Sequence, residues 1–270
     1  MGQSARPVGL DKVRLDKTAN RLYSDEHRLD ERQRFLVEPS RRSAERLLVP
    51  WVVSHLRDGA SLVDIGGGAG TYASLIARAR LVEVVGVDIS PAAVAIRDED
   101  PWLAENVVGD MEDLPFDAER FDAALFVAAL HHVPDPLPAL REASRVLRPG
   151  GQLFAFEPMS LRARGGTVST PGAPHEFLLG RRLLLRRTAE AGLVIEEARG
   201  CRIAMRVLRR ATLLGDPVRM VGGKRPVREG QPTVGASAWR FGDQVDRAVI
   251  GRLPLVHRLG ETILLRARKP

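Results

Sequence analysis

The stretch Ser61-Leu-Val-Asp-Ile-Gly-Gly-Gly-Ala-Gly70 leaves the chain few choices. Leu62, Val63 and Ile65 make the short continuous apolar run of a strand buried on both faces, as parallel sheets require. Asp64 interrupts the run near the end where open α/β sheets place their ligands. Gly66, Gly67, Gly68 and Gly70 then allow a sharp turn and let a ligand lie against bare backbone. Thr71 to Arg80 reads as a helix, so the turn delivers a ligand to a helix N-terminus.

The following segments repeat the strand–helix alternation. Leu81 to Val87 is a second apolar strand, and Asp88 ends it, eighteen residues after Gly70. An acid at that place can accept hydrogen bonds from both hydroxyls of an adenosine ribose. The turn spacing, Gly-x-Gly-x-Gly, is one residue tighter than the Gly-x-Gly-x-x-Gly of dinucleotide-binding folds. Ser90-Pro91 opens a helix running to about Glu99. Asn106 to Gly109 is a short strand leading into Asp110-Met-Glu-Asp-Leu-Pro-Phe116, and Phe121 to Val127 is a fourth strand leading into His131-His132. An amphipathic helix from Pro136 to Leu147 stops at Arg148-Pro-Gly-Gly151. A fifth strand, Gln152 to Phe156, ends in Glu157-Pro158.

Taken in order, these motifs resemble the class I S-adenosylmethionine-dependent methyltransferases, in particular the small-molecule type of quinone biosynthesis. The resemblance is carried by the glycine turn, the acid ending strand two and the Gly109-Asp110 pair. It is carried also by the Phe121-Asp122 strand, the His-His pair and the segment Arg145-Val-Leu-Arg-Pro-Gly-Gly-Gln-Leu153. It implies an α/β fold with a seven-stranded, mostly parallel Rossmann-like sheet, an antiparallel last strand, helices on both faces and an N-terminal helical lid. By the same resemblance, Asp64 and the four glycines hold the methionine end of S-adenosyl-L-methionine. Asp88, with Ile89 beside it, holds the ribose; Asp110 and Met111 read the adenine; Phe126 or Val127 lines the adenosine pocket. No metal is expected.

Beyond the fifth strand, residues 160–176 are rich in Gly, Ser, Thr and Pro and read as a loop. A helix follows from Gly180 to Ala191, then a strand from Leu193 to Arg199. A last strand, Thr262 to Arg268, is expected to insert antiparallel between strands five and six. Residues 202–260 intervene where the family has a short hairpin. A basic amphipathic helix (Arg202 to Leu214), a Gly/Pro-rich loop and a helix around Trp239 to Leu253 are expected there. Ahead of the first strand, helices are expected from Asp25 to Val37 and, after the Glu38-Pro39 break, from Arg41 to Leu56. The division is thus a lid over residues 1–58 and a methyltransferase domain over 59–270. Tyr23 and His27 are lid candidates for the acceptor pocket, or simply surface residues.

Charge is uneven. Residues 1–60 carry net +3, residues 61–160 net −9 and residues 161–270 net +13, within a total of +7. The basic third suits an anionic or lipid-linked acceptor, or else reflects solvated arginines, which number 37 of the 41 basic residues. The lone Cys201 excludes an internal disulfide. The N-terminus has no apolar leader and the chain no stretch of ~20 apolar residues, so a cytoplasmic protein without a transmembrane segment is expected.

The expected activity is methyl transfer to an O, N or C nucleophile of a small molecule. Nucleic acid is the less favoured acceptor: where amino-group methyltransferases of bases carry Asn/Asp-Pro-Pro-aromatic, this chain reads Leu130-His131-His132-Val133, and aromatics are only 5% of it. An RNA methyltransferase and a non-catalytic module of the same fold remain the alternatives, and self-association is left open. A nicotinamide dehydrogenase is disfavoured, because neither Tyr23 nor Tyr72 is followed four residues later by lysine. His131 and His132 stand where the methyl acceptor should lie, and a neutral imidazole can take its proton. Alternatively, they cap the loop before Pro134 or pack against the cofactor. Glu157 is the next candidate.

Overall fold

The computed structural model describes residues 39–160, 163, 166–170, 173–202, 236–248 and 260–270. At its centre is β1 (Ser61–Ile65), flanked by β2 (Glu83–Asp88) and β4 (Phe121–Val127), both parallel to it. With β3 (Glu105–Val108), β5 (Leu147–Pro158), β8 (Val194–Cys201) and β9 (Thr262–Arg268) they form one seven-stranded sheet. Its order is β3-β2-β1-β4-β5-β9-β8. The strand β9 runs antiparallel to both neighbours, β5 and β8, as expected of the last strand. Strand order reverses between β1 and β4, so the carboxyl ends of those two strands open a crevice at the switch point.

Alternation along β1 assigns the two faces. Leu62 packs with Leu48 and Val52 of α1 (Pro39–Val53) and Ala73 and Ile76 of α2 (Thr71–Ala79). Val63 and Ile65 pack on the opposite face, where α4 (Leu137–Val146) contributes Leu140 and Ala143 and α5 (Arg181–Glu190) contributes Leu183 and Leu184. A further helix, α3 (Pro91–Asp98), links β2 to β3; Ser90 caps it, its side chain accepting from the Ala93 N–H at 3.1 Å. Helices therefore cover both faces, and the sheet is the Rossmann-like one expected.

Several local features differ from the sequence expectation. Pro39 begins α1 rather than preceding it, since proline suits the first helical turn, and the helix accommodates Pro50. The strand β5 starts before the Pro-Gly-Gly turn, because Leu147 pairs with Phe121. Residues 160–176 are not simply a loop: β6 (Thr167–Thr170) and β7 (Ala173–Leu179) pair antiparallel. The β-branched run Thr-Val-Ser-Thr favours a strand, but Gly and Pro on either side obscured it. The Ser160 N–H donates to the Leu179 carbonyl at 2.9 Å, tying this hairpin to the exit of β5.

Of the intervening segment 202–260, the described part includes α6 (Ala236–Ala248), which docks on α1. Arg46 on α1 donates to the buried Asp243 carboxylate at 2.6 Å. The expected helices over 25–37 and 202–214, like Tyr23 and His27, lie outside the described residues, apart from Arg202. Among the described residues, no helix is long and apolar enough to cross a membrane.

Candidate functional site

The glycine turn emerges from β1 with Gly66, Gly68 and Gly70 all in left-handed backbone, φ 66°, 56° and 72°. Non-glycine residues adopt that region only under strain. The turn is pinned at two levels. The Gly66 N–H donates to the Val87 carbonyl at 2.8 Å, and the Gly68 N–H donates to Asp88 Oδ2 at 2.8 Å. Asp88 Oδ1 accepts the Ser90 N–H at 2.9 Å. Gly70 precedes α2, and no side chain caps that helix start. Its first N–H groups and dipole therefore face the turn, an arrangement suited to a carboxylate or phosphate.

Three chain segments converge here. A Cβ placed on Gly66 would lie 2.9 Å from Ala129 Cβ and 3.4 Å from Met111 Cε. The turn after β1, the segment after β3 and the exit of β4 are thus in mutual contact at the switch point. Ile89, half-buried, directly follows Asp88 on the same edge. Asp110 forms a tight turn, its Oδ1 accepting the Glu112 N–H at 2.9 Å. Phe126 is fully buried in the core on the α4 side, and Val127 is the half-buried one of that pair.

Asp64 is 2% exposed and lies under the turn, not beside it. A Cβ on Gly67 would fall inside its carboxylate. Arg97 donates to Asp64 Oδ2 at 2.8 Å. Burial pushes the Asp64 carboxyl above its ordinary range; the Arg97 charge and hydrogen bond oppose this, and Asp88 adds to it.

The segment after β3 is clamped to α4 by a pair invisible in the motif reading. Glu142 Oε2 accepts the Leu114 N–H at 2.8 Å, and Arg145 donates to the carbonyls of Phe116 and Leu114 at 2.8 and 3.0 Å. The Glu142 carboxyl is held below its ordinary value of 4.5 by hydrogen bonding from Arg145. Partial burial opposes this, and the Leu114 N–H adds to it. The unfolded chain therefore binds this proton more tightly, so the contribution to stability is complete above that value and is lost as pH falls through the lower folded one. Urea unfolding at pH 7 and pH 4 should show Glu142→Gln losing less stability on acidification than the native chain, by about 1 kcal/mol or less. Equal losses would contradict the clamp.

At the exit of β4, Ala128 has φ 52°, an uncommon strain for a residue with a side chain. A single 3-10 turn, Leu130–His132, follows. Glu157 at the end of β5 is fully buried and organises it. One carboxylate oxygen accepts the N–H groups of Ala129 and Leu130 at 2.8 and 3.0 Å; the other lies 3.3 Å from His131 Nδ1. His131 is 1% exposed, and its Nε2 is buried with no hydrogen-bond partner. The His132 ring stacks on it, centroids 4.2 Å apart, and β7 packs against the same turn, bringing the buried Glu176 to this side of the fold. The structure therefore brings together the glycine turn, Asp88, Met111 and the β4 exit, with His131, His132 and Glu157 forming a second cluster immediately beyond. Arg97, Glu142 and Arg145 escaped the motif reading. Arg97 alone left a trace, sharing the helical spacing of the buried Ala93 and Val94.

Comparison with known proteins agrees with this geometry. Residues 63–155 match the family model described as a methyltransferase domain. The chain is 36% identical over 132 residues to the 27-O-demethylrifamycin SV methyltransferase of Amycolatopsis mediterranei, covering 46% of this chain and 47% of that protein. It is 35% identical over 107 residues to the demethylmenaquinone methyltransferase of Staphylococcus aureus, covering 38% and 44%. The chain thus spans less than half the length of these relatives. Among solved structures, the [4+2]-cyclase SpnF superposes with a TM-score of 0.57 at 24% identity, covering 85% of this chain and 82% of that one. The geranyl diphosphate C-methyltransferase of Streptomyces coelicolor A3(2) gives 0.57 at 20% identity, covering 84% and 79%. At such identities the structural likeness speaks for the fold alone.

Proposed function

Because residues 63–155 form a methyltransferase domain of the class I S-adenosylmethionine-dependent family, we propose that the protein methylates a small organic acceptor through an O–H or N–H group, with His131 as the base. The observation that carries this reading is the buried His131–Glu157 pair standing next to the convergence of Gly66, Met111 and Ala129.

The residues present fit the cofactor. The left-handed glycine backbone forms a cradle that any Cβ would fill, and the uncapped start of α2 suits the methionine carboxylate. Gly66 to Gly70 would hold the methionine end, supported from beneath by Asp64. Asp88, flanked by Ile89, would share its carboxylate between the Gly68 N–H and the ribose. Asp110 and Met111 would meet the adenine and Val127 the adenosine pocket. When bound, the cofactor supplies a methyl group already activated on sulfonium, so the chain's task is to orient the acceptor, exclude water and move one proton.

Glu157 performs the last task through His131. Two backbone N–H groups hold one of its oxygens, and the other faces Nδ1. With the Nδ1 proton donated to Glu157, Nε2 is the accepting nitrogen. It takes the acceptor's proton as the new O–C or N–C bond forms, and Glu157 stabilises the resulting imidazolium. His132 stacks against the base rather than sharing the carboxylate. The named substrates of the relatives in rifamycin and menaquinone chemistry support a small-molecule acceptor.

Incubating the protein with methyl-labelled S-adenosylmethionine and fractionated small-molecule extracts tests the reading. Label should appear in a low-mass product. Label in RNA, or in nothing, would overturn it. The net +13 of residues 161–270 further supports an anionic acceptor. The acceptor KM should then rise several-fold, roughly three- to tenfold, between 50 and 300 mM salt while cofactor affinity holds; a salt-independent acceptor KM would remove that inference.

A further inference from the structure

Among the described residues, the largest fully buried side chain is that of Arg97, near the end of α3. Its guanidinium runs beneath the glycine turn. One terminal nitrogen, Nη1, donates to Asp64 Oδ2 at 2.8 Å and lies 3.5 Å from the Gly68 carbonyl. Its Nε donates to Asn106 Oδ1 at 2.8 Å, and Asn106 in turn donates to Asp98 at 3.0 Å. The other terminal nitrogen, Nη2, is buried with no hydrogen-bond partner.

Glycine makes room for this pair at three positions. A Cβ on Gly86 of β2 would fall inside the guanidinium, and one on Gly70 would lie 3.0 Å from Nη1. A Cβ on Gly67 would fall inside the Asp64 carboxylate. Two of these glycines belong to the turn itself, so turn, carboxylate and guanidinium pack as one unit. Such a pair is poor value for stability alone, because desolvating two charges offsets most of their attraction. Removing one partner is a different matter: it leaves a buried charge directly under Gly67 and Gly68. The only compensation within reach would be movement of the turn, entry of water or protonation of Asp64.

We infer that Arg97 is a positioning residue for cofactor binding: acting through Asp64, it fixes the height of the glycine turn above β1 and β2 and so sets cofactor affinity without touching the cofactor. This rests on the reading of Gly66–Gly70 as the cofactor turn. Its distinctive consequence concerns Asp64, whose effect on affinity is then indirect and depends on Arg97.

Calorimetric titration of the whole chain with S-adenosylhomocysteine tests it, using Arg97→Met, Asp64→Asn and the double variant. Each single variant should bind about tenfold more weakly, since each strands one buried charge or donor beneath the turn. The double variant strands neither, and should return to within about threefold of the native affinity. If Arg97→Met does not fold, the comparison of the double variant with Asp64→Asn still decides: tighter binding by the double variant supports the inference. A folded Arg97→Met chain with native affinity would overturn it, whatever its melting temperature. So would a double variant as weak as Asp64→Asn, which would mean that Asp64 contacts the cofactor directly. Asp88→Ala serves as the control for the turn itself; native affinity there would remove the cofactor-turn reading and leave the Arg97–Asp64 coupling without a ligand to act on.

Discussion

Replacing His131 by alanine is expected to lower turnover by about 10²–10⁴-fold, the usual worth of a general base, while S-adenosylmethionine affinity stays within about threefold. The truncation also leaves Glu157 buried beside an empty space, so Glu157→Gln is the cleaner partner experiment. Its side-chain carbonyl can still accept from Ala129 and Leu130, keeping the turn after β4 in place. Its amide, however, would donate to His131 Nδ1 and place the imidazole proton on Nε2, which then cannot accept. Turnover should fall by a similar factor with the fold intact. His132→Ala removes a stacked ring and should cost far less, no more than about tenfold. Near-native turnover in both His131→Ala and Glu157→Gln would mean that the pair only braces the β4 exit and that catalysis proceeds by positioning alone.

Asp88→Ala carries the second large effect. The carboxylate holds the Gly68 N–H on one oxygen and the Ser90 N–H on the other, and in the proposed complex it also accepts from the ribose. Hydrogen bonds to a charged group contribute about 1.5–3 kcal/mol each, so cofactor affinity should fall at least tenfold and, if both the turn and the ribose are released, about a hundredfold. Asp88→Asn should fall between the two, because its amide oxygen still accepts while the charge is gone. An unchanged dissociation constant for Asp88→Ala would show that the ribose is held elsewhere.

What was legible in the sequence depends on the range of the interactions involved. The strands β1, β2 and β4 announce themselves as apolar runs because they are buried on both faces, and the glycine turn does so because its backbone conformations exclude other residues. Glu157 was legible only as a carboxylate at a strand end; that it binds the turn of the next-door strand is a consequence of β4 and β5 lying side by side. Arg97 was not legible at all. Its burial requires a glycine eleven residues away on β2 and an aspartate on β1, a three-element coincidence that no local pattern encodes. The β6–β7 hairpin was missed for the opposite reason: its local signals conflict, with strand-forming residues set among Gly and Pro. The clamp of Glu142 and Arg145 lay in plain view on α4 but read as an ordinary exposed ion pair, because its real partners are backbone groups of the 110–116 segment.

The central claim is that the switch-point crevice, built from Gly66–Gly70, Asp88 and Met111, binds S-adenosylmethionine. Titration calorimetry of the native chain tests it most directly. Saturable binding of S-adenosylmethionine and of S-adenosylhomocysteine is expected, each weakened at least tenfold by Asp88→Ala, with no heat on adding NAD or NADP. Binding of a nicotinamide dinucleotide in their place, or native affinity in the Asp88→Ala chain, would contradict it.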